Sequence, residues 1–152
     1  MSIEAKIKEM GLIVPEAPKP LAAYVPALKT GNYVFTSGQL PIVNGELKYV
    51  GKLGDKFNVE EGYEAAKTCA LNALGAIKSV IGNLDNIVRI VKVVGFVNSS
   101  AGFNDQPKVI NGASELLGKI FGEAGVHARS AVGVNELPLN AAVEVEMIVE
   151  VK

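Results

Sequence analysis

From residue 143 to residue 151 the chain alternates almost without a break. Val143, Val145, Met147, Val149 and Val151 fall on one side of an extended backbone, and Glu144, Glu146 and Glu150 on the other. A pattern of period two is a strand with one face against a core, so the rest of the chain must supply both the neighbouring strands and the cover.

The neighbours are legible upstream. An apolar stretch, Leu21 to Leu28, leads into a turn at Lys29-Thr30-Gly31-Asn32 and a β-rich segment from Tyr33 to Ser37; Asn44-Gly45 marks another turn before a strand from Leu47 to Val50. Ile87 to Val94 is β-branched almost throughout, which predicts a central strand covered on both faces. Ala128 to Val134 and Ala142 to Val151 close the chain, joined by residues 135–140.

The cover comes from two helices. Asn58 and Glu61 have the spacing of a capping box, Ala66, Ala70, Ala73, Ile77 and Val80 form one stripe, and Gly82 supplies a stop. A second helix starts near Pro107 and runs to Phe121, with Val109 or Ile110, Ala113, Leu116, Leu117 and Ile120 as its inner face. The order is strands, helix, strand, helix, strands. This is an α+β class: one mixed sheet with two helices packed on one face.

A chain of 152 residues suits one domain, 1–152. Residues 1–20 stand apart as a short helix, capped by Ser2 and carrying Ile3, Ile7 and Met10, and a proline-rich lead-in. So short a helix must dock on its own domain or on a neighbour. The second sheet face is left bare, with Tyr33 and either Phe35 or Val34 on it, and such a face calls for a partner. A hydrophobic fraction of 49% and a mean hydropathy of +0.27 fit that surface, and fit equally a well-filled core in a monomer.

Arg129 is the main candidate for ligand chemistry. It shares its strand face with Ala131 and Gly133, whose small side chains leave room for a carboxylate or phosphate against the planar guanidinium. Glu144 follows the 135–140 connection, and in an antiparallel pair joined by that loop the two residues can meet. A purely structural ion pair of Arg129 with Glu144 or Glu146 is an equal alternative. Glu150 reads as solvated. His127 reads as a loop or interface residue facing away from Arg129, and Cys69 as a small core residue.

Several classes of function are disfavoured. The net charge of −1 and the lack of a basic stripe argue against nucleic-acid binding. No apolar run reaches the ~18 residues of a membrane span, and the first residues lack a signal-peptide pattern. A single cysteine points to a reducing compartment, hence a cytoplasmic location, and with one histidine it rules against a metal site of zinc type within one chain. Gly51 and Gly54 make no phosphate loop, and no Ser-His-Asp arrangement can be argued.

Three stretches together resemble one family: Tyr33-Val34-Phe35-Thr36-Ser37-Gly38-Gln39-Leu40-Pro41, then Val109-Ile110-Asn111, then Ala128 to Val134 continuing through Leu137-Pro138 to Val143-Glu144-Val145-Glu146. The chain looks like the reactive intermediate/imine deaminase (RidA) family, older members of which were labelled translation inhibitors or endoribonuclease-like. The resemblance covers residues 21 to 152. It implies a chorismate-mutase-like fold and a homotrimer whose sheets face the trimer interior, with ligand clefts between subunits. It further implies hydrolysis of 2-imino or 2-enamino acids to 2-oxo acids and ammonia, without a cofactor or metal. By motif, Arg129 then clamps the substrate carboxylate and Glu144 serves the hydrolytic water. Tyr24, Ser37, Gly38, Asn111 and Ala131 line the cleft. Relatives often carry Cys where this chain has Ala131 and an acid where it has Gly133, and the Leu21-to-Pro26 segment departs from the usual Gly-Pro-Tyr form. That marks a divergent branch. The competing reading is a non-catalytic trimer that binds a 2-oxo or amino acid with the same arginine.

Overall fold

The structure, a computed structural model, describes residues 1–19 and 23–152. The expected end of the lead-in at Pro20 and the strand start at Leu21 lie outside the described residues. The first strand, β1, is Ala27–Thr30, and β2 is Tyr33–Thr36. Gly31 and Asn32 join them, with Gly31 at a φ of +55°. The Asn44-Gly45 turn closes a small ladder of β3, Ile42–Val43, and β4, Glu46–Leu47. Beyond it, Val50 only bridges to Ala141 instead of extending a strand.

Helix α2, Val59–Ile81, starts at the expected capping box: Asn58 Oδ1 accepts from the Glu61 amide at 2.9 Å, and Glu61 Oε1 from the Asn58 amide at 3.1 Å. Ala66, Ala70, Ala73 and Ile77 are fully buried, but Val80, at the helix end, is exposed. Helix α3, Gln106–Phe121, buries Val109 and Ile110 together with Ala113, Leu116, Leu117 and Ile120.

Strand β5 runs from Ile87 to Asn98, four residues past its expected end. It is covered on one face only: Ile90, Val93 and Val97 are buried, while Lys92, Val94 and Phe96 are partly open. Strands β6, Ala128–Val134, and β7, Val143–Val151, complete a five-stranded sheet in the order β1-β2-β7-β5-β6. Among the described strands of this sheet, β5 and β6 pair parallel and the other neighbours antiparallel. The valines and Met147 of β7 are buried under α2, as their alternation required, and both long helices lie on that face. On the other face Leu28, Tyr33, Phe35 and Val132 are exposed, whereas Val34 is core.

The N-terminal helix α1, Ile3–Glu9, docks on its own domain. Ser2 caps it, Ile7 is 1% exposed, the Ile3 amide donates to Asp85 Oδ1 at 2.8 Å, and Glu4 pairs with Lys78 at 3.0 Å. The lead-in then crosses α2 at Gly75, where any side chain would collide with the Pro15 carbonyl oxygen.

Candidate functional site

Arg129 lies on edge strand β6, opposite Val93, which is opposite Met147. Cross-strand partners share a face, so Arg129 points to the helix side. Because β6 is an edge, its long side chain reaches α3 instead of the core. Its Nη1 donates to Asn111 Oδ1 at 2.8 Å and to Ser114 Oγ at 3.2 Å. Ser114 Oγ lies 2.9 Å from His127 Nε2, and His127 Nδ1 lies 2.6 Å from the Gly125 carbonyl oxygen. A cleft of about 330 Å³ opens here, lined by Ser114, Glu115, Gly118, Val126, His127 and Arg129. Burial, together with the Arg129 charge, depresses the His127 pKa below its ordinary value, against a smaller opposing effect from the Gly125 hydrogen bond.

A second group forms at the β2–β7 boundary. The ladder pairs Phe35 with Ile148, but Gln39 bridges to Val145. Four steps on one strand oppose three on the other, so the extra residue makes a bulge at Thr36–Gly38. Thr36 Oγ1 takes the Met147 amide at 3.0 Å, and the Ser37 hydroxyl donates to the Val25 carbonyl at 2.6 Å. The bulge sets Gly38 directly on Glu144: a Cβ there would stand 2.6 Å from Glu144 Oε2, so any side chain at this position would push the carboxylate aside. Glu144 is half-buried. Burial first, and the charge of Glu146 second, raise its pKa above the usual carboxylate value. Tyr24 is exposed, one residue before the Val25 carbonyl that holds Ser37.

The two groups do not meet within one chain. The expectation that β6 and β7 pair directly is wrong, because β5 lies between them. The connection after β6 carries the chain over the end of β5, where Asn98 Nδ2 donates to Asn140 Oδ1 and to the Ala141 carbonyl, each at 3.0 Å. Glu144 sits opposite Phe96, on the open face, while Arg129 is on the helix face. Among the described residues no carboxylate lies within 4.0 Å of Arg129, so its structural ion pair with Glu144 or Glu146 does not form in the chain.

Two further expectations need correction. His127 does not face away from Arg129: residues two apart in extended chain share a side, and its ring turns to α3. The room expected above Gly133 is taken by Gln106 and Ser99, and Ala131 packs partly against the core, so the open space lies on the Val126 side of Arg129. Ser114 is the residue that the sequence reading missed. It lies one helical turn from Asn111, so the spacing held the signal.

A mixed sheet with both long helices on one face, and a lone arginine on its edge strand, defines a class of small α+β proteins. The chain matches the family described as "YjgF/chorismate mutase-like, putative endoribonuclease" over residues 4–151, and it belongs to that family. It is 42% identical to Protein TCP17 of Trypanosoma cruzi, with 97% of this chain and 93% of that one aligned. A 2-iminobutanoate/2-iminopropanoate deaminase of Dermatophagoides farinae is 33% identical, over 91% of this chain and 93% of the relative. Among solved structures, the Agrobacterium tumefaciens protein Atu1372, of unknown function, superposes with a TM-score of 0.93 at 43% identity, covering 99% of this chain and 92% of that one.

Proposed function

We propose that this chain is a deaminase that hydrolyses reactive 2-imino or 2-enamino acids to 2-oxo acids and ammonia, at clefts between the subunits of a cytoplasmic homotrimer. One observation carries the reading. The candidate residues divide into two halves at different places on the sheet, each incomplete: among the described residues Arg129 has no carboxylate within 4.0 Å, and half-buried Glu144 has no cation within that distance. An assembly that stacks the open face of one subunit against the next brings opposite halves together. It also covers Leu28, Tyr33, Phe35 and Val132. The named imine deaminase among the relatives supports the substrate class.

The chemistry asked of such a cleft is modest. The substrate carboxylate docks on the free Nε–Nη2 edge of Arg129, since Asn111 and Ser114 occupy Nη1. From the protonated imine, water adds to the C=N carbon as Glu144 takes one of its protons. That proton then passes to the carbinolamine nitrogen. As the C–N bond breaks and ammonia leaves, the carbinolamine hydroxyl gives its proton to Glu144, which returns it to solvent and leaves the 2-oxo acid. A carboxyl whose pKa is raised is suited to both directions of that transfer. Tyr24, Ser37 and Gly38 form the wall beside Glu144, and Ala131 lies two residues from the clamp.

The test is imine decay in a coupled assay, with an amino-acid oxidase as the source of imine. Arg129→Lys keeps the charge and loses the fork, and should lower kcat/KM by a factor equivalent to ~2–5 kcal/mol. Glu144→Gln should lower kcat more than it raises KM. A wild-type protein that binds 2-oxobutanoate through Arg129 but leaves imine decay unaccelerated would establish the binding-protein alternative instead.

A further inference from the structure

Behind Arg129 lies a chain of hydrogen bonds whose direction can be worked out atom by atom. The Gly125 carbonyl only accepts, so His127 Nδ1, 2.6 Å away, carries a proton. In the neutral ring Nε2 is then bare, and Ser114, 2.9 Å from it, must donate its single hydroxyl proton there. That fixes the rotor of Ser114 and leaves its oxygen free to accept from Arg129 Nη1 at 3.2 Å. The second Nη1 proton goes to Asn111 Oδ1. Both protons of one guanidinium nitrogen are thereby committed to α3, and among the described residues no hydrogen bond engages Nε or Nη2. Glu115, which lines the same cleft, is occupied elsewhere: it accepts the Tyr63 hydroxyl at 2.7 Å, a bond that helps push the tyrosine pKa up to about 12.

We propose that His127, acting through Ser114, is a positioning residue that determines which edge of Arg129 faces the cleft. The inference rests on Arg129 as a carboxylate clamp. Both line the cleft, but their proposed role is exerted through Arg129. Their part is to spend the one nitrogen that would otherwise turn toward it, so that the fork is presented without a search over guanidinium orientations.

The composition makes the test direct, because the chain has one histidine and two arginines, Arg89 and Arg129. In the full-length 15N-labelled protein, a long-range 1H–15N spectrum of the single imidazole should show the neutral Nδ1–H tautomer near neutral pH. The Arg129 Nε–H signal, assigned by its persistence in Arg89→Lys, should be rigid in the wild type and mobile in Ser114→Ala. His127→Asn retains a donor for Gly125 but falls short of Ser114, and should also release Arg129. His127→Gln places an amide oxygen near the position of Nε2 and should keep it fixed. Binding of 2-oxobutanoate should weaken on the order of two- to tenfold in Ser114→Ala and His127→Asn. It should stay within about twofold of wild type in His127→Gln, and the uncharged 2-oxobutanamide should bind all four proteins alike. An Nε2–H tautomer, or equal weakening of acid and amide, would overturn the proposal. So would an Arg129 signal that is indifferent to Ser114. If the wild type fails to prefer the acid over the amide, the clamp itself is refuted; the NMR arms then decide separately whether His127 and Ser114 fix the guanidinium.

Discussion

Burial, and to a lesser extent the charge of Arg129, lowers the His127 pKa, and this has a consequence for stability. Its folded pKa lies below its unfolded value, so the unfolded chain takes up a proton first as pH falls. The contribution of His127 is therefore full above about 6.5 and is lost as pH falls through the depressed folded value. The melting temperature of the wild type should drop more between pH 7.5 and pH 5 than that of His127→Gln, which has no imidazole to titrate. Parallel curves for the two proteins would show that the ring is not held as described. Gly38 supports a second expectation at this scale. Gly38→Ala places a methyl on the Glu144 carboxylate, which must swing aside, so imine turnover should fall with little loss of fold. A variant with wild-type kcat would break the link between the bulge and the acid.

Helix α1 shows how an element too short to stand alone becomes part of the domain. Its seven residues contribute one buried anchor, Ile7, and the segment after it lies across α2 at Gly75. Ile7→Ala should cost about 2–5 kcal/mol through the cavity it leaves. Gly75→Ala should lower the melting temperature by displacing the lead-in around Pro15, and neither change reaches Arg129 or Glu144. Deleting residues 1–13 should combine the two effects: a lower melting temperature with the cleft chemistry intact. An unchanged melting temperature after the deletion would mean that the anchoring of Ile7 contributes nothing in solution.

For the whole molecule, the open sheet face matters most. Leu28, Tyr33, Phe35 and Val132 form a surface that water covers poorly, alongside Glu144 and Glu146 on the same face. Light scattering at micromolar concentration should give three times the 16.0 kDa chain mass. Phe35→Glu should dissociate the assembly and abolish turnover while leaving α2 and α3 folded, as read by circular dichroism. A monomeric wild type that still hydrolyses imines would remove the interfacial site altogether.

The alternation in β7, the capping box of α2 and the inner face of α3 were legible because each is a local rule, written in period and spacing and satisfied by neighbours a few residues away. The class of fold followed from their order; the candidacy of Arg129 followed from its fork and its small neighbours on the strand, and that of the Ser37-Gly38 pair from the family resemblance alone. What the sequence could not determine was adjacency across the sheet. The residues between β6 and β7 permit either a direct hairpin or a step over one strand; β5, already built and β-branched, takes the middle place and separates Arg129 from Glu144. The bulge at Thr36–Gly38 is likewise invisible locally, since it exists only as a mismatch of register with β7. The hydrogen-bonded line from His127 through Ser114 to Arg129 joins residues 13 and 15 positions apart in the chain, and only the packing of α3 against β6 brings a hydroxyl within reach of both a ring nitrogen and a guanidinium.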